Sequence, residues 1–146
     1  MKKNLAIIAA LGIVSMAGVA MAATADLDVS ATVIPTCTMT GGTLAFGNLD
    51  PTNAVAKTAS SIGVTITCTN DTDFTLSGNA GDNAVGSQKY LTNGTSDIPY
   101  SVTIPASGTG TGSALPVSIA GAIAAGSYTT ATAGSYTDTI ELTVTP

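Results

Sequence analysis

Cysteines and carboxylates are the chemically capable side chains of this 146-residue chain: Cys37, Cys68 and nine acidic residues. Histidine is absent, which removes imidazole general bases, Ser–His pairs and histidine metal ligands. Serine is plentiful, but no residue pair marks an activated nucleophile. Asp26 with Asp28, and Asp71 with Asp73, set two carboxylates at i, i+2 as a calcium loop would begin. Neither pair is continued by an oxygen-rich run, and that spacing in a strand or turn marks a solvated face. Gly108-Thr109-Gly110-Thr111-Gly112 has the glycine content of a phosphate loop without its lysine or following helix, so it reads as a flexible connection. Asn93-Gly94-Thr95 and Asn70-Asp71-Thr72 match glycosylation sequons and are better explained as turns. Asp138 falls at an out-of-core position near the start of the last strand, where a structural hydrogen bond is expected. These residues imply no catalysis, no metal and no cofactor.

The chemistry that remains is a cross-link. The chain opens with Lys2-Lys3, an apolar run from residue 5 to 19 and Ala20-Met21-Ala22, the three parts of a secretory signal. Residues 1–22 are therefore expected to be removed on export. In an exported protein two cysteines most simply form a disulfide. Closing a loop of roughly 30 residues stabilises a fold by about 3–4 kcal/mol on the chain-entropy account. Two thiols without histidine make a poor metal site.

Beyond residue 22 the only cations are Lys57 and Lys89. Two lysines offer no counterion-releasing patch for nucleic acid and nothing to hold an anionic lipid surface. No direct membrane insertion is expected after signal cleavage. The remaining residues suffice for one domain. They are rich in Thr, Ala, Ser and Gly, with runs of Val, Ile and Thr broken by Gly, Asn, Asp and Pro, which predicts an all-β protein with frequent turns.

Two stretches frame that domain. In residues 23–34, Ala25, Leu27, Val29, Ala31 and Val33 alternate with Asp26, Asp28, Ser30 and Thr32, the period of a half-buried strand. Pro35 interrupts the pattern and sets a boundary between residues 23–34 and a body of 35–146. At the other end Ile140, Leu142 and Val144 share one face of a closing strand, opposite Thr139, Glu141, Thr143 and Thr145. Between them, residues 60–69 read as one strand with Ile62, Val64, Ile66 and Cys68 inward. Phe74 with Leu76 marks a further inward face, and Ile98, Tyr100, Val102 and Ile104 another. Asn93-Gly94 predicts a hairpin turn. Leu115, Val117 and Ile119 mark a later strand. The total is about six or seven short body strands at the spacing of a β-sandwich. A spare strand at one end and an edge strand at the other suggest that each copy lends residues 23–34 to a neighbour.

Several of these pieces together are similar to a known family. They are the alternating N-terminal strand followed by a cysteine, Leu44-Ala45-Phe46-Gly47, Gly63-Val64-Thr65-Ile66-Thr67-Cys68, and Ile119-Ala120-Gly121-Ala122-Ile123. The most specific is Gly134-Ser135-Tyr136-Thr137-Asp138 with the alternating end that follows it. The chain resembles the spore coat protein U domain family, which includes pilin subunits of archaic (Csu-type) chaperone–usher pili. The resemblance implies an incomplete immunoglobulin-like β-sandwich, completed by a donor strand from a neighbouring subunit. It implies that Ala25, Leu27, Val29, Ala31 and Val33 fill a neighbour's groove, edged by Ile140, Leu142 and Val144, and that Cys37 and Cys68 form the family's disulfide. The implied partners are related pilin subunits, a periplasmic chaperone and an outer-membrane usher, and the implied place is a pilus at the cell surface.

The expectation is thus a non-catalytic pilus subunit serving adhesion and biofilm formation. Two other readings stand beside it: a self-complete secreted sandwich binding a ligand such as carbohydrate, and a spore or cell coat component that forms no pilus.

Overall fold

The computed structural model describes residues 21–146, so the predicted signal segment falls outside it but for its last two residues. Residues 23–34 are in no strand and every one is exposed; Leu27 and Val29 are each 85% exposed and Val33 81%. An alternating sequence with no partner strand has no ladder to join, and its amides stay with water. From Ile34 onward the chain is tied down: Thr69 Oγ1 donates to the Ile34 carbonyl, and the Thr69 amide donates to the Thr36 carbonyl at 2.9 Å.

Residues 33–146 are all-β and antiparallel among the described residues, apart from a 3-10 turn at Pro51–Asn53. The strands are β1 (Cys37–Thr40), β2 (Lys57–Ser60), β3 (Thr65–Cys68), β4 (Asp73–Gly78) and β5 (Lys89–Thr92). There follow β6 (Asp97–Thr103), β7 (Ser107–Thr109), β8 (Leu115–Pro116), β9 (Ala120–Ile123) and β10 (Leu142–Thr145). They form three sheets, ordered β1-β3-β8, β10-β4-β7 and β2-β9-β6-β5.

The core has two centres. Ile66 and Cys68 of β3 meet Phe74 and Leu76 of β4, with Leu142 and Val144 of β10 packed against them. Below the four-stranded sheet Ile98, Tyr100, Ile123 and Tyr128 form the second cluster. Tyr128 lies in the 124–134 turn; the residue is 1% exposed and its hydroxyl donates to the Val55 carbonyl at 2.7 Å. Outward positions carry hydroxyls in register, Thr38 beside Thr67, Thr40 beside Thr65 and Thr145 beside Thr75.

The disulfide joins Cys37 to Cys68, directly opposite each other in the β1–β3 ladder. Expectations change in two places. The strand predicted over 60–69 is split, because Gly63 takes a positive φ of 87° between β2 and β3. That kink turns Ile62 outward, 76% exposed, while Val64, Ile66 and Cys68 stay inside. The glycine-alternating run after residue 107 is no flexible connection: β7 pairs with β4. Its glycines allow close approach, since a Cβ on Gly108 would stand 2.5 Å from the Phe74 ring and one on Gly110 2.6 Å from Cys68 Cβ. Asn93-Gly94 does turn a hairpin, with Asn93 Oδ1 accepting the Thr95 and Ser96 amides inside a longer loop.

Candidate functional site

An apolar cleft of about 380 Å³ opens between two chain edges that do not pair with each other. One wall is the end of β1 and the segment after it, with Met39, Leu44 and Phe46; the other is Asp138, Ile140 and Leu142. Val64, Leu91, Tyr100, Val102 and Ile119 form the floor. β1 and β10 are both edge strands, and they approach each other without hydrogen bonding.

The first wall follows from glycine. A Cβ on Gly42 would stand 2.2 Å from the Ile62 carbonyl oxygen, so only glycine lets the chain pass there to the single bridge between Thr43 and Ile62. Beyond that bridge residues 44–49 make no backbone hydrogen bond. Side chains hold them instead. Leu44 and Phe46 lie where a Cβ on Gly121 of β9 would be, 2.7 and 2.9 Å away, and Phe46 meets Tyr100 edge to face with ring centroids 6.1 Å apart.

The second wall follows from alternation. Thr137 exchanges backbone bonds with Thr92 at 3.0 Å, the Thr139 carbonyl accepts from the Asp82 amide and the Glu141 carbonyl from the Asn79 amide. In a strand successive backbone groups point to opposite sides. The amides and carbonyls of Asp138 and Ile140 therefore face the cleft, and they have no backbone partner. The cleft offers an apolar floor between two unsatisfied backbone edges, which is the chemistry of strand addition.

Asp138 points inward, contrary to the out-of-core position expected for it. Its Oδ2 accepts from the Tyr100 hydroxyl at 2.5 Å, and its Oδ1 accepts from the Asn83 amide at 3.0 Å and from Asn83 Nδ2 at 3.1 Å. Burial first, then the Asp138 carboxylate, raises the Tyr100 phenol well above its ordinary range, so the hydroxyl stays a donor.

Of the residues singled out in the sequence, Ile140 and Leu142 line the cleft, and Val144 packs on the first core cluster instead. Ala25, Leu27, Val29, Ala31 and Val33 are exposed, in no strand. The periodicity did not identify the wall at Met39, Leu44 and Phe46. Its signal was Gly41-Gly42 followed by Leu-x-Phe, a turn into an alternating pair. Asp71 accepts from Asn70 Nδ2 and Asp73 from Thr109 Oγ1, both bonds of turn and ladder.

The model of the Spore Coat Protein U domain family matches residues 23–109. Among solved structures, the chain is similar to a complex of CsuC and CsuE of Acinetobacter baumannii. That crystal structure is of a chaperone–tip adhesion subunit pre-assembly complex from archaic chaperone–usher Csu pili. The identity is 23% and the TM-score 0.48, over 77% of this chain and 40% of that one. No curated protein matches the chain.

Proposed function

The chain belongs to the spore coat protein U domain family, and on that premise we propose that it is a structural pilus subunit whose copies join by strand donation. The observation that carries this is the cleft itself: apolar inside, bounded by Leu44 and Phe46 and by Asp138 and Ile140, whose backbone groups lack backbone partners. A strand entering it would pair with open edges and bury its apolar face in one step. The chain carries a segment of that description in residues 23–34, alternating and exposed at every residue. Leu27, Val29 and Val33 would each contribute about 1.5–3 kcal/mol on burial, before ordering costs.

Residues 23–34 of one copy thus fill the cleft of the next. A periplasmic chaperone holds the cleft before assembly, an usher in the outer membrane exchanges that strand for the donor, and the polymer serves surface adhesion and biofilm formation. The role is mechanical, not catalytic. Among the described residues no helix is long and apolar enough to cross a membrane.

The test is a chain beginning at Thr36, studied with and without a synthetic peptide of residues 23–34. Thermal unfolding and size are followed together. The truncated chain is expected to be folded but to unfold at low temperature, and the peptide to raise its melting temperature, while a peptide carrying Leu27→Asp and Val29→Asp does nothing. A truncated chain that is a stable monomer indifferent to peptide would overturn the reading and favour a self-complete ligand-binding sandwich.

A further inference from the structure

An empty apolar cleft has a physical problem: closing it would remove its walls from water, so collapse is favourable unless something resists. Resting on the strand-donation reading above, we propose that Asp138 is a positioning residue that holds the empty cleft open and keeps its 137–141 wall extended for the incoming strand.

The geometry is specific. Asp138 sits on a wall whose other inward residues, Ile140 and Leu142, are apolar. A carboxylate in such a place is costly unless donors surround it, and this one has three, from two separate elements. Tyr100 belongs to β6 in the floor; the Asn83 amide and Nδ2 belong to the turn behind the wall. The carboxylate therefore pins the wall both to the floor and to the turn. It cannot follow a collapse into the cleft without giving up those donors.

The same turn closes the far side of the wall. The Asn79 amide donates to the Glu141 carbonyl, the Glu141 amide to Asn79 Oδ1, the Asp82 amide to the Thr139 carbonyl and Asn83 Nδ2 to the Thr137 carbonyl. These residues act as a short false edge strand. Strand addition is thereby directed to the cleft side alone. Gly81, with φ of 96°, lets the turn come this close, since a Cβ there would stand 2.4 Å from Asp138 Oδ2.

A residue that preorganises an empty site affects capture of the donor, not its release. The experiment uses the chain from Ala23 carrying Leu27→Asp and Val29→Asp, so that copies do not fill one another. Binding of a fluorescent 23–34 peptide is followed by stopped flow for association and by chase for dissociation. If the open state falls to a tenth of its population in Asp138→Asn, the association rate falls about tenfold with dissociation unchanged. Tyr100→Phe, which leaves the carboxylate and removes one donor, is expected to lie between, and it serves alone if Asp138→Asn does not fold. Unchanged association in the variants would overturn the proposal. So would a loss confined to dissociation, which would make Asp138 a contact to the donor. Failure of the unsubstituted Asp138 chain to bind the peptide would instead sink the strand-donation reading itself.

Discussion

Tyr100 serves the core with its ring and the cleft with its hydroxyl, and the two duties have a measurable signature. The folded state holds its phenolic proton to higher pH than the unfolded chain, whose tyrosines titrate near 10. The folded form therefore binds more protons above that point. The contribution of Tyr100 to stability is complete below about pH 10 and declines as the pH rises further. Melting temperatures of the chain from Ala23 and its Tyr100→Phe variant, compared from pH 9 to pH 11.5, should converge at the alkaline end; parallel curves would contradict the assignment. At neutral pH the variant should lose about 1.5–3 kcal/mol, the range for a hydrogen bond to a charged group. Gly110 is a second single-residue test. It is buried against Cys68, and Gly110→Val forces a side chain where Cys68 Cβ already lies, costing about 1–3 kcal/mol by overpacking in urea unfolding.

At the scale of strands, the informative comparison is between two alternating segments with the same period. The closing stretch alternates outward and inward from Thr139 to Thr145 as its sequence does, because Asp82, Asn79 and β4 give its backbone partners. Residues 23–34 alternate as strictly and form no strand, since periodicity describes a face and a ladder needs a second chain segment. Between them the pattern misleads at Gly63. Period two continues through it from Ile62 to Cys68, but the backbone there adopts a positive φ that the pattern does not encode. The second wall of the cleft is hidden for a related reason: residues 44–49 are placed by contacts with β9 and β6, distant in sequence. Asp138 could be flagged as a hydrogen-bonding residue, but Asn83 and Tyr100 could not be named, because the turn that brings Asn83 in is fixed by tertiary bonds. The β1–β3 pair yields a firm prediction. Replacing both cysteines by serine should cost about 3–4 kcal/mol of stability in urea unfolding, the chain-entropy value for such a loop. A loss below 1 kcal/mol would mean that the unfolded state is already restrained there.

For the molecule as a whole, one cleft and one exposed segment per copy would, on the strand-donation reading, make a heterologous contact, and such contacts extend into filaments unless the rotation closes a ring. On the strand-donation reading, a molar excess of the 23–34 peptide acts as a terminator. Polymer length seen by electron microscopy should fall as peptide is added during assembly, and the peptide with Leu27→Asp should leave it unchanged. A filament of this kind also bears load, and the position of the disulfide decides where that load goes. Tension on residues 23–34 enters the body through Pro35 and Thr36 and reaches Cys37 at the start of β1. Without the cross-link the pull would peel β1 from β3 one hydrogen bond at a time, opening the cleft from its own wall. The bond to Cys68 passes the force straight to β3 and the buried cluster around Ile66 and Phe74. The covalent link lies where the rope is tied to the anchor, so under traction the joint between copies is asked to yield before the knot.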